Sequence, residues 1–335
     1  MEVDLDQAAQ RLLAGGLVAF PTETVYGLGA DAENPEAIAR IYQAKGRPSD
    51  HPVIVHVAPD ADLAYWARSV PAAARALVQA FWPGPLTLIL PRAPGIPDAV
   101  SGGQDSIGLR CPSHPVAQEL LRRFAVLKGG HGGVAAPSAN KFGQVSPTQA
   151  VHVRKEFPEL DASELMILEG GPSQVGIEST IIDLSRLESG MGPVLLRPGH
   201  VTAEELALVL GVMPARPDAT APRVSGSLKA HYAPRTPLTL VERARLETIV
   251  NEAVSKGERL AVAAFAPLPP AAGKQTGVSW HLCASDRVQY AQGLYALLRE
   301  LDDQGCDRIV LEKPPVTPAW QAVNDRLGRA AAAFE

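Results

Sequence analysis

Four basic residues, Lys45, Arg47, Arg110 and Arg197, stand where an apolar run or a helix gives way to a loop of small polar residues. Arg110 closes Ile107-Gly-Leu-Arg110, and a charge at the end of a central strand needs a partner or an anionic ligand. A guanidinium is the side chain suited to a carboxylate or phosphate. Lys45-Gly-Arg-Pro48 leaves a helix at the end where the dipole already favours cations, so alone it reads as ordinary charge placement. Phe20-Pro-Thr-Glu-Thr-Val-Tyr-Gly-Leu-Gly29 offers the hydroxyls of Thr22 and Thr24 beside glycines that permit close backbone approach. Ala136-Pro-Ser-Ala-Asn140, Gly143-Gln-Val-Ser-Pro-Thr148, the 170–180 loop ending Glu178-Ser-Thr180, and Leu196-Arg-Pro-Gly199 repeat the theme. N–H groups and hydroxyls at such places bind phosphate oxygens. His56 ends the alternation Val53-Ile-Val-His56-Val57, a position equally suited to a packed strand histidine. Taken singly, each feature is a strand exit or a helix cap. Together they describe a site for a polyphosphate and a small carboxylate-bearing molecule.

Several chemistries lack their signatures. There is no His-Glu-x-x-His and no Gly-x4-Gly-Lys-Ser/Thr loop, and Gly27-Leu-Gly-Ala-Asp-Ala32 lacks the third glycine of a dinucleotide loop. Gly171-Pro-Ser-Gln-Val175 misses the last glycine of a nucleophile elbow. Cys111, Cys283 and Cys306 are odd in number and scattered, which indicates neither a disulfide framework nor a thiolate zinc site and points to a reducing compartment.

The elements that must position these groups alternate up to about Gly211. Strands are predicted at Leu17–Phe20, Pro52–Val57, Leu86–Leu90, Ile107–Arg110, Gly133–Ala136, Met166–Leu168, Thr180–Leu184 and Val194–Arg197, eight in all. Asn34 as cap, Pro35 at the first position and Gly46 just past the end punctuate one helix. Others are predicted at 71–81, 115–124, 148–156 and 202–210, the last opened by a Thr202/Glu205 capping box. From 212 to 237 there are five prolines and no periodicity, the pattern of a stiff linker. Beyond it come strand 238–241, helix 243–255, strand 259–265, helix 286–302, strand 307–311 and helix 319–333, an order that suggests a small parallel sheet of βαβ type. The predicted organisation is a first domain at 1–211, a linker at 212–237 and a small α/β domain at 238–335.

A chain of 335 residues is long enough for two such domains without staples. Its net charge of −5 argues against a wholesale polyanion coat but leaves room for a local basic cleft. Aromatic residues make up 5%, too few for a large stacking surface, while 29 Gly and 30 Pro signal abundant turns. The acidic start Met1-Glu-Val-Asp-Leu-Asp6 lacks the basic region of a secretory signal, and the apolar stretch Leu260–Ala272 is short and broken by prolines. A cytoplasmic protein without membrane association is expected.

Pro-Thr-Glu-Thr-Val-Tyr-Gly-Leu (21–28), Lys-Gly-Arg-Pro (45–48), Pro-Val-Ile-Val-His (52–56), Trp-Pro-Gly-Pro-Leu-Thr (82–87), Gly-Leu-Arg-Cys-Pro-Ser-His-Pro (108–115), Pro-Ser-Ala-Asn (137–140), Glu-Ser-Thr-Ile-Ile-Asp (178–183), Arg-Pro-Gly (197–199) and His-Tyr-Ala-Pro (231–234) occur in order over about 200 residues. The set resembles the threonylcarbamoyl-AMP synthases of the YrdC/Sua type, and the linker and C-terminal region resemble their two-domain form. The resemblance implies a twisted, open, mixed α/β sheet with a concave basic cavity, followed by a small Rossmann-like domain. It implies L-threonine, bicarbonate and ATP as substrates, with Mg2+ held by phosphates and water. It further implies that the product, threonylcarbamoyl-AMP, formed with release of pyrophosphate, is passed to partner proteins that modify the adenosine beside the anticodon of tRNA.

Carried over by position, the resemblance implies that Thr24, His56, Arg110, Ala136 and Ser179 form the threonine pocket, with Arg110 on the substrate carboxylate. Arg47, His51, Ser106, Ser138, Ser146 and Arg197 correspond to ATP contacts, and Tyr232 to a linker residue over the nucleotide. Lys45, Arg47, Ser138 and Asn140 are the expected catalytic set. Where many relatives have Pro-Gly-Met before the His-Tyr segment, this chain has Ser225-Gly226-Ser227. The rival reading is a YrdC-like module that holds double-stranded RNA or tRNA without chemistry. The related carbamoyl-transfer enzymes of hydrogenase maturation carry cysteine-rich zinc motifs that three scattered cysteines cannot supply.

Overall fold

The computed structural model describes residues 4–266 and 277–335. The first three residues, and the part of the Leu260–Ala272 stretch beyond Ala266, lie outside the described residues. The chain divides into two compact units, one of residues 1–142 and 146–227, the other of 143–145 and 228–335.

The first unit is built on a nine-stranded mixed sheet. Its strands are β1 (Leu17–Phe20), β2 (Gly27–Asp31), β3 (Ile54–Val57), β4 (Leu86–Pro91), β5 (Ser106–Arg110), β6 (Gly133–Ala135), β7 (Leu165–Ile167), β8 (Thr180–Asp183) and β9 (Val194–Arg197). They lie in the order β7-β1-β2-β6-β3-β5-β4-β8-β9. The eight predicted strands are all present with small changes at their ends, and β2 is an additional strand that begins within the Phe20–Gly29 segment read as a strand exit. Gly-Leu-Gly-Ala-Asp has no β-branched residue to announce a strand. It is held extended by its neighbours, pairing antiparallel with β1 (Ala19 opposite Leu28) and with β6 (Ala30 opposite Ala135).

Seven helices accompany the sheet: α1 (Leu5–Leu13), α2 (Pro35–Lys45), α3 (Leu63–Trp66), α4 (Ala72–Phe81), α5 (Asp98–Ser101), α6 (Pro115–Leu127) and α7 (Ala150–Glu156), with α8 (Ala203–Leu210) after the last strand. Asn34 caps α2 through the N–H groups of Glu36 and Ala37, and Gly46 ends it in the left-handed conformation. Thr202 and Glu205 form the capping box of α8.

The two sheet faces are covered differently. On one, Leu28, Val55, Leu88, Leu109 and Ile182 join Ile38 and Ile41 of α2, Leu77 of α4 and Leu206 of α8 in a single core. On the other, Val18, Phe20 and Val134 pack on α1 and α6 through Ala8, Leu12, Leu120 and Phe124. These two helices cover only the β1-β2-β6 side. Over β4, β8 and β9 the apolar residues Ile89, Ile181, Val194 and Leu196 pack with Ala221 and Val224 of the chain that follows α8. That chain joins the sheet at Ala215, which exchanges hydrogen bonds with Leu195 and Pro193.

The second unit is a parallel four-stranded sheet of β10 (Leu238–Val241), β11 (Leu260–Ala264), β12 (Val278–Leu282) and β13 (Arg308–Glu312), ordered β10-β13-β11-β12. Its helices are α9 (Arg243–Ser255), α10 (Arg287–Asp303) and α11 (Gln321–Ala331). The edge strand β12 was absent from the predicted elements, because Val-Ser-Trp-His-Leu mixes polar and apolar residues in the way of a half-exposed edge.

Gly133 tests how tightly the first core is set. A Cβ there would fall 2.4 Å from Trp66 Cζ2 and 2.7 Å from Val55 Cγ1. Gly133→Ala should therefore cost about 1–3 kcal/mol by overpacking, read as a lower midpoint in urea with unchanged slope. An unaltered midpoint would show that Trp66 can move aside freely.

Candidate substrate-binding site

The half of the sheet face that α1 and α6 leave open carries the polar residues. His56 on β3 and Arg110 on β5 are direct partners in the parallel register, and His56 also faces Val134 of β6. Two residues earlier on each strand, Ile54 stands opposite Gly108, where a Cβ would meet Ile89, Ile54 and Thr87 at 3.2–3.6 Å. Glycine thus keeps the floor low between bulky neighbours. Ser179, just before β8, bonds Thr87 of β4 at 2.8 Å, and Arg197 of β9 donates to the Ser179 carbonyl and hydroxyl at 2.9 and 3.1 Å. Gly199 makes this meeting possible, since a Cβ there would lie 2.3 Å from the Thr180 nitrogen.

Arg110 is buried with Glu23. Nη2 donates to Glu23 Oε1 at 2.7 Å, Nε donates to the Gly84 carbonyl at 3.3 Å, and the Ser113 N–H donates to Glu23 Oε2 at 3.1 Å. Breaking a buried pair of this kind by removing one partner typically costs about 3–5 kcal/mol. Thr24 lies in the same loop, fully buried, its hydroxyl 2.9 Å from that of Thr22. Ala136 follows β6 and donates its N–H to Ile54.

His56 is buried against the edge of Phe20, and its Nδ1 makes no hydrogen bond. Burial first, and then the charge of Arg110, push its pKa down to about 3, with the nearby Ile54 carbonyl opposing only weakly. At neutral pH it is an uncharged imidazole beside a cation. Cys111, next to Arg110, is pushed up to about 12 by burial and then by Glu23, so no thiolate nucleophile forms there.

Of the remaining predicted residues, Lys45, Arg47, Ser138 and Asn140 gather around the ends of α2 and β6. The Lys45 ammonium donates to the carbonyls of Ser138 and Asn140, and burial followed by the charge of Arg47 holds its pKa well below the usual lysine value. Arg47 donates to the Pro52 carbonyl at 2.7 Å and to Ser225 Oγ at 3.0 Å, while Arg197 Nη1 donates to the Ser225 carbonyl at 2.8 Å. His51 lies edge-on to Phe142, with its pKa lowered by burial and by Arg47. Ser106 begins β5 and lines, with Arg68, Arg186 and Thr220, a cavity of about 340 Å3. Ser146 is fully buried and donates to Glu178 at 2.6 Å.

Tyr232 belongs to the second unit. There it has a φ of 62°, stacks on Tyr295 and lies against His231 and the Arg326 guanidinium. Glu23 and Ser225 were not among the predicted site residues. Glu23 is the one charge in Pro-Thr-Glu-Thr-Val-Tyr, and its conspicuous place in an apolar and hydroxyl loop is the signal that could have marked it.

Arginines and a lysine buried on the sheet and at the end of α2, with hydroxyls and a neutral histidine among them, give this α/β protein a site chemically suited to small anionic molecules. The Sua5/YciO/YrdC family model, described as telomere recombination, matches residues 10–199, and the threonylcarbamoyl-AMP synthase C-terminal domain matches 201–332. The threonylcarbamoyl-AMP synthase of Bacillus subtilis is 39% identical, with 97% of this chain and 92% of the relative covered. That of Pyrococcus abyssi is 35% identical over 96% and 92%. The crystal structure of P. abyssi Sua5 complexed with L-threonine superposes with a TM-score of 0.86 at 34% identity, covering 98% of this chain and 94% of the other. The chain belongs to the threonylcarbamoyl-AMP synthase family, a family of enzymes.

The neutral His56 carries a prediction for stability. An unfolded histidine titrates near 6.5, so between about pH 6.5 and 3 the unfolded chain binds a proton that the folded one refuses. Its contribution is intact above pH 6.5 and falls on acidification by up to about 1.4 kcal/mol per pH unit. The melting temperature of His56→Asn should therefore depend less steeply on pH between 7 and 4 than that of the unaltered protein. Identical slopes would show that His56 is accessible to protons in the folded state.

Proposed function

We propose that this chain condenses L-threonine, CO2 or bicarbonate, and ATP into L-threonylcarbamoyl-AMP with release of pyrophosphate. The observation that carries the reading is the Arg110–His56 pair: a buried guanidinium with Nη1 left over, beside an imidazole that stays neutral. The guanidinium takes the threonine carboxylate, and Thr24, Ala136 and Ser179 supply the neighbouring walls. A threonine complex of a structural relative supports this choice of amino acid. A neutral histidine matters because its unprotonated ring nitrogen can accept a hydrogen bond from the threonine amine, which a protonated imidazole could not do.

In the reaction, the amine nitrogen forms a C–N bond to CO2 and loses a proton, giving a carbamate; starting from bicarbonate, water leaves. A carbamate oxygen then attacks the α-phosphorus of ATP, the bond to the bridging oxygen breaks, and pyrophosphate departs. The nucleophile belongs to the substrate, so the protein's work is positioning and stabilisation of charge. Lys45, Arg47 and Arg197 supply positive charge, with Ser106, Ser138, Asn140, Ser146 and His51 as further nucleotide contacts. The carboxylates of Glu23 and Glu178 are engaged by Arg110 and Ser146, so Mg2+ suits this face as an ion carried by phosphate oxygens and water.

We assign the product to the modification of the adenosine beside the anticodon of tRNA, through partner proteins in the cytoplasm. Among the described residues no helix is long and apolar enough to cross a membrane. Pyrophosphate release by the pure protein tests the reading: it should require both threonine and bicarbonate. Release independent of threonine would sink this reading, and no release at all would favour the non-catalytic RNA-binding alternative. Arg110→Ala should raise the threonine KM by about tenfold or more while leaving the ATP KM near its starting value. An unchanged threonine KM would remove Arg110 from the pocket.

Ser225 yields a second test. Its hydroxyl and carbonyl occupy donors of Arg47 and Arg197 that the phosphates of ATP would take. Ser225→Ala should loosen this contact and lower the ATP KM by about two- to fivefold, given the modest net worth of one hydrogen bond to a charged group. A raised ATP KM would instead make Ser225 part of the nucleotide site.

A further inference from the structure

We propose that Glu23 is a positioning residue for threonine: its carboxylate fixes the Arg110 guanidinium in the orientation that presents Nη1 to the amino acid. The proposal rests on the reading of Arg110 given above. Both side chains are almost fully buried, at 5% and 4% exposure for Arg110 and Glu23. Glu23 Oε1 and the Gly84 carbonyl take Nη2 and Nε from separate strand ends, so the guanidinium plane is held at two nitrogens and cannot swing. Nη1 has no acceptor among the described residues.

The carboxylate is itself held. Its second oxygen accepts from Ser113, on the loop leaving β5, and the Glu23 carbonyl accepts from Val175 at 2.7 Å. Ser173 Oγ donates to the Thr22 carbonyl at 3.0 Å in the same place. Glu23 therefore ties together the loop of Thr24, the end of the strand of Arg110 and the loop that leads to Ser179. A counter-charge alone would need none of these secondary bonds. They are what a fork requires if it is to be in place before the carboxylate arrives, so that little ordering is left for the binding step.

Positioning differs from catalysis in what it changes. Glu23→Ala should raise the threonine dissociation constant, read by calorimetry, and the threonine KM by about tenfold, with kcat at saturating threonine within about threefold and the ATP KM unchanged. Glu23→Gln retains an acceptor for Nη2 without the charge and should fall between the two. The double variant Glu23→Ala/Arg110→Ala should bind threonine no worse than Arg110→Ala alone, since the two act as one unit. If Arg110→Ala weakens threonine binding while both Glu23 variants bind as the unaltered protein does, the proposal fails and the Arg110 reading stands. If the losses add in the double variant, or threonine and ATP weaken together, Glu23 is only structural. If Arg110→Ala leaves threonine binding unchanged, the reading of Arg110 fails and this role with it. Should Glu23→Ala not fold, by circular dichroism, Glu23→Gln decides between these outcomes.

Discussion

Taking a guanidinium or an ammonium out of water is expensive unless fixed dipoles or an opposite charge replace the lost hydration. Four cations are buried at once, Arg110 and Arg197 on the sheet and Lys45 and Arg47 at and just past the end of α2, and the way each is resolvated dictates what surrounds it. Lys45 is held by the carbonyls of Ser138 and Asn140, Arg47 by that of Pro52, and Arg197 by those of Ser179 and Ser225. Main-chain carbonyls replace lost hydration without adding an opposite charge of their own. Arg110 instead meets a carboxylate, which takes up part of its charge and fixes its plane. That contrast suits their proposed ligands: a polyphosphate of high charge against carbonyl-held cations, and one carboxylate against a half-compensated guanidinium that must discriminate by geometry.

Loops so constrained leave little freedom for a protein nucleophile. The hydroxyls of Ser146 and Ser179 are engaged by Glu178 and by Thr87 and Arg197, and the Cys111 thiol is far from ionising. A reaction in which the substrate brings its own nucleophile is the chemistry that such a face can serve. The net charge of −5 is no obstacle, because the field within a buried cluster is set by groups a few ångströms away and hardly screened.

Much of the fold was legible because local rules decide it. Asn34, Pro35 and Gly46 bracket α2 as their types demand, and Val194-Leu-Leu-Arg197 reads as a strand with a charge at its end, which is what it is. β2 was hidden because its identity as a strand comes from its neighbours: Gly29 is small since Phe20 and Val134 crowd the place where a Cβ would go. The predicted site residues Thr24, His56, Arg110, Ser179 and Arg197 are brought together by strand order, which no single segment encodes. Glu23 escaped for the same reason, its partner lying 87 residues away on a strand that the sheet carries beside it.

The stretch from Ala215 to Ser225 shows why the excess of proline matters. An uncovered sheet face exposes apolar residues, here Ile89, Ile181, Val194 and Leu196, and a helix would be the usual cover. Pro214, Pro217 and Pro222 prevent one, so an extended segment lies there instead, held by Val224, by Ala221 and by bonds from Arg186 to Asp218 and Thr220. An extended segment buries far less apolar area than a helix and makes bonds that water or a phosphate can replace one at a time. Opening such a segment locally therefore costs less than lifting a packed helix, which would unfold the core it covers.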